Sequence, residues 1–147
     1  MKVKKLKAGA ERGGTLVEAA VTVMLLFLFI LGILEFGRAF DIYQILTNAA
    51  REGARFAVAP CSFTATTCTP GTLPTATAIQ DRVNLFLASG NVQGATVTVD
   101  QSVATTVNGV PLVYTNVSVS APYTFVFFPF GKKTMSAQAK MRNETNQ

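Results

Sequence analysis

The side chains that could do chemistry are few. The 147-residue chain has no histidine, so neither a Ser-His-Asp nor a Cys-His arrangement can be assembled. Its two cysteines, Cys61 and Cys68, enclose six residues. Without histidine they cannot complete a four-ligand zinc site. In an oxidising compartment they can close a disulfide, and otherwise they stay as two thiols. Closing so short a ring contributes about 2.5 kcal/mol in the chain-entropy model. Asp81 and Asp100 are far apart in sequence and nothing pairs them as acid and base. No glycine-rich phosphate loop follows a strand pattern. This leaves Glu18, a carboxylate near the start of a long apolar run with no cation after it until Arg38. At the centre of a bilayer such a group costs about 2.5–3.5 kcal/mol, and less near the edge. The chain reads as a non-enzyme that needs no cofactor and no metal.

Charge is concentrated at one end. Formal net charge is +5, and Lys2, Lys4, Lys5, Lys7 and Arg12 stand in the first twelve residues against Glu11 alone. From Gly14 onward eight Lys/Arg nearly balance seven Asp/Glu. A nucleic-acid binder needs its basic face on the folded domain, so nucleic acid is not an expected partner. Residues 1–13 form a basic leader, which the positive-inside rule keeps in the cytoplasm.

Residues 14–59 read as one long helix. Positions 19–34 carry no charge, and with Thr15–Val17 the span covers about 15–34, near the ~20 residues a bilayer core requires. A cleavable secretory signal has a shorter apolar core and a small-residue cleavage site at its end; here the run ends in Glu35-Phe36-Gly37-Arg38. Membrane lipid is therefore one partner. Beyond Phe36 the helix becomes amphipathic, with Ile42, Leu46, Ala49, Gly53 and Ala57 on one face. Small residues there allow close backbone approach. Glu35 and Arg38 are three apart and able to pair. Arg51 and Arg55, four apart, form a cationic stripe.

The remainder reads as a small extracytoplasmic domain. Residues 60–77, with Pro60, Pro70, Gly71 and Pro74, form a loop holding the cysteines. A short helix is predicted over 78–89, with Thr77 as its cap and Gly90 at its end. From Ala95 the period becomes two, and Asn108-Gly109 signals a hairpin. Val113, Thr115, Val117 and Val119 share one side of the next strand. Tyr123–Phe128 is either a buried strand or an exposed sticky segment. Thr134–Arg142 is the last strand, with Met135, Ala137, Ala139 and Met141 on one face, and Asn143–Gln147 reads as a polar tail. The expected fold class is α+β: a long N-terminal helix, then a domain at 78–147 with a short helix and an antiparallel sheet of about four strands.

Gly13 with Glu18 after it, a basic leader before and an apolar helix behind, resembles a type IV prepilin signal. The run Glu35-Phe36-Gly37-Arg38 … Leu46-Thr47-Asn48-Ala49-Ala50-Arg51-Glu52-Gly53-Ala54-Arg55 is similar to the TadE-like pseudopilins of the tight-adherence (Tad) pilus system, and Met135–Arg142 resembles that family's last strand. Ala19 departs from the aromatic that commonly follows the glutamate, and the pair Gly13-Gly14 leaves cleavage after either glycine open.

The resemblance implies a prepilin peptidase that cuts at Gly13–Gly14, making Glu18 the fifth residue of the product. It implies assembly through Glu18, Glu35, Arg38, Arg51 and Arg55 with other pilin subunits and an inner-membrane assembly platform. The expected function is a pilin-like structural subunit, a pseudopilin or minor pilin supporting adhesion. Its precursor would sit in a bacterial inner membrane, N-terminus inside, before joining a filament. The alternative is a permanently anchored extracytoplasmic binding domain that never polymerises.

Overall fold

The computed structural model describes residues 10–61, 72–107, 109–127 and 131–143. The chain divides into two compact units, Met1–Gly37 and Arg38–Gln147.

The first unit is helical. Helix α1, Ala10–Val58, begins in it and takes in Gly13, Gly14 and the whole apolar run. No proline or charge interrupts residues 19–34, and Leu, the commonest residue there, is a strong helix former. Side chains along this run, from Leu16 to Leu34, are largely exposed; Met24 keeps 75% of its surface. Within Gly13–Val58 the most apolar stretch has a mean hydropathy of 2.6 and no buried residue. An apolar helix with no apolar partner is what a bilayer span requires.

The second unit contains residues 38–58 of α1, helix α2 (Ala76–Ser89) and strands β1 (Thr96–Val107), β2 (Val110–Thr124) and β3 (Lys132–Arg142). The strands form an antiparallel meander in the order β1-β2-β3. The core joins one face of α1 to α2 and to the inner face of the sheet: Leu46, Ala49, Ala50, Ala54, Ala57, Ile79, Val83, Leu87, Val117, Val119 and Ala121 are buried together. Burying each of the Leu, Ile and Val side chains contributes about 1.5–3 kcal/mol. Alanine and glycine on α1 are what bring the layers so close. A Cβ at Gly53 would run into Val83 Cγ2 and stand 3.1 Å from Val117 Cγ1.

α2 starts at Ala76, two residues before the expected position, and Thr75 rather than Thr77 caps it. Thr75 is extended, follows Pro74, and its Oγ1 accepts from the Ala78 N–H at 3.3 Å. Gly90 closes the helix, and its N–H donates to Phe86 O at 3.2 Å. The left-handed residue is Asn91, with φ 55°, a conformation asparagine tolerates better than most.

The sheet has three strands, not four. Tyr123 is not the start of a separate strand; β2 runs through Pro122 and ends at Thr124. β1 begins at Thr96 opposite Ser120. Past Ser120, β2 has only β3 beside it, and a strand edge tolerates the missing proline N–H. Phe125–Phe127 leave the sheet, with Val126 and Phe127 exposed at 63% and 46%. On β2, Thr115, Val117, Val119, Ala121 and Tyr123 are buried in period two. β1 and β2 meet at a two-residue turn, Val107 opposite Val110, where Gly109 has φ 80°; Asn108 lies outside the described residues.

Asn143 is not part of a polar tail. It is 4% exposed; its Oδ1 accepts from Thr115 Oγ1 at 2.7 Å and its Nδ2 donates to Gln101 O at 3.3 Å. The bulge in β1 makes this possible. Gln101 and Ser102 together oppose Thr115, and Asp100 Oδ1 accepts from Ser102 N–H at 3.0 Å to hold the extra residue.

Candidate functional site

The candidate site begins at the N-terminal end of α1. Gly13 and Gly14 lie within the helix, and a Cβ built on either meets nothing within 4 Å. The Cβ side of the backbone is open to an approaching group at both positions. A helix must unwind locally before a peptidase can take its backbone in extended form. Each glycine makes that easier by about 0.8–1 kcal/mol relative to alanine. The bond also lies within the first turns, where several N–H groups have no intrahelical acceptor.

Glu18 follows one turn later and is exposed. Its backbone carbonyl accepts from Thr22 Oγ1 at 2.9 Å. Among the described residues no cation forms an ion pair with its carboxylate. From Gly13 to Leu34 it is the sole charged side chain. A carboxylate placed at the rim of an exposed apolar helix is suited to receive a cation from another chain.

The other four predicted assembly residues are not gathered with Glu18. Glu35 is buried, 3% exposed. Arg38 places its guanidinium 5.8 Å from the ring centroid of Tyr123, a cation–π contact. Arg51 is exposed beside a shallow groove of Phe40, Tyr43, Gln44, Thr47 and Asn48.

Arg55 belongs to an ion-pair cluster that sequence reading missed. Its Nε and Nη2 donate to the two carboxylate oxygens of Glu52 at 3.0 Å each. Arg82 on α2 reaches the same carboxylate, Nη2 to Oε1 at 3.0 Å. The hydrogen bonds from Arg55 first, then from Arg82, hold the Glu52 carboxyl below the usual carboxylate range. The three-residue spacing of Glu52 and Arg55 was visible in sequence; Arg82, thirty residues on, was not. The cluster ties α1 to α2 and offers no exposed nucleophile.

Cys61 is buried, and its N–H donates to Thr72 O at 2.8 Å, so the ends of the cysteine loop are held together. Cys68 lies outside the described residues.

An open groove beside α1 has a volume of about 430 Å³ and is lined by Tyr43, Thr47, Ser118, Val119, Ser120, Ser136, Ala137 and Gln138. Among these residues there is no carboxylate, no thiol and no lysine. Among the described residues no group of three His, Cys, Asp or Glu side chains could hold a metal ion.

Residues 13–55 match the family model described as TadE-like protein. The match begins at the glycine pair, takes in Glu18, the apolar run and the Glu52–Arg55 part of the ion-pair cluster, and ends at Arg55. It covers most of the helix that carries the candidate site. No curated protein and no solved structure matches the chain.

Proposed function

From a TadE-like helix that carries both the glycine pair and Glu18, we propose that this chain is a pilin-like structural subunit, a pseudopilin or minor pilin of a Tad-type pilus. The observation that carries the reading is the exposed apolar helix with its single carboxylate at the rim. A span that only anchored a domain would have no use for Glu18. In a bundle of such helices the carboxylate becomes a docking point.

The precursor lies in the bacterial inner membrane with its leader inside and its folded unit outside. The prepilin peptidase hydrolyses the Gly13–Gly14 bond; water supplies the carboxylate oxygen on Gly13, and Gly14 leaves with a free amine. The cut removes five Lys/Arg that resist transfer across the bilayer. It also creates a cation four residues before Glu18. Within one helix the two groups align poorly, whereas a staggered neighbour brings its Gly14 amine to Glu18. At about 4 Å and an effective dielectric near 20 the attraction is roughly 4 kcal/mol before desolvation. The peptidase, other pilin subunits and the membrane assembly platform are the partners. The protein is a peptidase substrate and not itself a catalyst.

The test is the N-terminal residue of the chain recovered from sheared surface filaments. Gly14 is expected, and Gly13→Leu should leave the precursor full length. Glu18→Gln should be cleaved and inserted normally but recovered in filaments at a small fraction of the wild-type level. An intact mass that retains Met1 in peptidase-containing cells overturns the processing step and favours a permanently anchored domain.

A further inference from the structure

The two edges of the sheet differ. At β1, Gln80 Nε2 from α2 donates to Val97 O at 3.3 Å, and Gln101 Nε2 donates to Pro74 O at 2.8 Å. The bulge between Asp100 and Val103 also bends that strand. β3 carries neither device. It pairs with β2 without a break from Lys132 opposite Thr124 to Arg142 opposite Tyr114, and among the described residues no strand lies on its other side. An edge strand of that length turns a row of N–H and C=O groups outward, where another chain can pair with them.

Charge is arranged along β3 in blocks. Lys132 and Lys133 stand at one end, Lys140 and Arg142 at the other, all exposed, and no acid lies among them. The six residues from Thr134 to Ala139 carry no charge. Lysine guards an edge by standing where a second strand would lie; here the middle of the edge is unguarded. The open groove beside α1 meets this middle. Ser136, Ala137 and Gln138 line it from β3, and Tyr43 and Thr47 line it from α1, around a volume of about 430 Å³. A strand added to β3 turns every second side chain toward the α1 side of the sheet, and the groove has room there for a small apolar one.

We propose that the outer edge of β3 is a docking site for an extended, acidic-ended segment of a partner protein, which adds to the sheet as a further strand. Backbone pairing supplies the affinity, the groove between α1 and β3 selects a small apolar side chain, and the basic groups at both ends select carboxylates. The charge pattern disfavours a second copy of β3, because two such strands side by side bring basic ends together with no acid between them. Six residues of strand reach about 20 Å, so the matching segment has about six uncharged residues between its acids. The site lies wholly in the folded unit and holds whether the chain polymerises or stays anchored.

The probe is a fluorescein-labelled peptide, Glu-Glu-Thr-Val-Ser-Val-Thr-Val-Glu-Glu, titrated with the full chain in non-ionic detergent and read by anisotropy. Saturable binding is expected. It should weaken at least about tenfold when the glutamates of the peptide become lysines, and by a similar factor when Lys140→Glu and Arg142→Glu are combined in the protein. Two further peptides carry N-methyl groups on alternate residues of the uncharged core, one in each phase. A paired strand directs only every second N–H toward its neighbour. One methylated peptide should therefore bind as the parent does and the other at least about tenfold more weakly. Contact with the basic leader would neither distinguish the two phases nor respond to the β3 variant. Amide hydrogen exchange at Thr134–Ala139 should slow on binding, with exchange along β1 unchanged. Absence of saturable binding overturns the proposal. So does equal binding by both methylated peptides, strong or weak, which would leave a contact made by charge alone. Protection of Thr134–Ala139 that grows with protein concentration in the absence of peptide makes a second copy the occupant and also overturns it.

Discussion

At the residue scale, Glu52 stands between two arginines. Its carboxylate accepts from Arg55 on its own helix and from Arg82 on α2. Because the folded carboxyl is held below its ordinary value, its contribution to stability is present above the unfolded pKa and is lost as pH falls through the folded one. Glu52→Gln should therefore flatten the acid side of the stability profile and leave the neutral-pH melting temperature only slightly lower. Thermal unfolding of wild type and variant in the same detergent, followed from neutral to strongly acidic pH, checks this. A loss of stability that is constant with pH would assign Glu52 a packing role instead. The pair is partly exposed, so the expected neutral-pH loss is small, about 0.2–1 kcal/mol.

At the element scale, the α1 face that packs against α2 and β2 is built from small residues, and Gly53 is its tightest point. Gly53→Ala should overpack the junction and destabilise the unit by about 1–3 kcal/mol. Combining it with Val83→Ala, which removes the colliding Cγ2, should recover part of that loss. The double-mutant cycle is the measurement, and simple additivity would place the strain elsewhere. This face was legible in the sequence, because Ile42, Leu46, Ala49, Gly53 and Ala57 fall at helical spacing and no other pattern competes. The alternation on β2 and β3 was equally plain. Three features were not. Thr75 and Thr77 are both capping residues, and only the extended backbone after Pro74 selects the first. Pro122 reads as a strand breaker until one knows that β1 has not yet begun beside it. Asn143 reads as solvated tail until the bulge at Gln101–Ser102 presents a carbonyl to it. The last two depend on partners distant in sequence. In the candidate site, Gly13, Gly14 and Glu18 were readable because they share one helix, whereas the α2 arginine that completes the Glu52 cluster was not.

At the scale of the whole molecule, the loop between the helices has its ends held by the Cys61–Thr72 backbone hydrogen bond. That closure holds Cys61, while Cys68 lies outside the described residues. Cys61→Ser with Cys68→Ser should lower the melting temperature of the folded unit without affecting membrane insertion. Alkylation of native, unreduced protein should label neither thiol, and labelling of both would rule the bridge out. The meander order has a further consequence, for synthesis. Both strand pairings are hairpins between chain neighbours, which form in about 1–10 μs once both strands are available. The packing of α1 on β2 joins segments far apart in sequence. A ribosome adding about 5–20 residues per second leaves the face from Leu46 to Ala57 uncovered for several seconds before Val117 and Val119 exist. Asn143, whose bonds tie the end of β3 to Thr115 and Gln101, arrives last of all. The unit cannot lock until its final described residue has been made, so nascent chains lacking that residue should remain open to proteases.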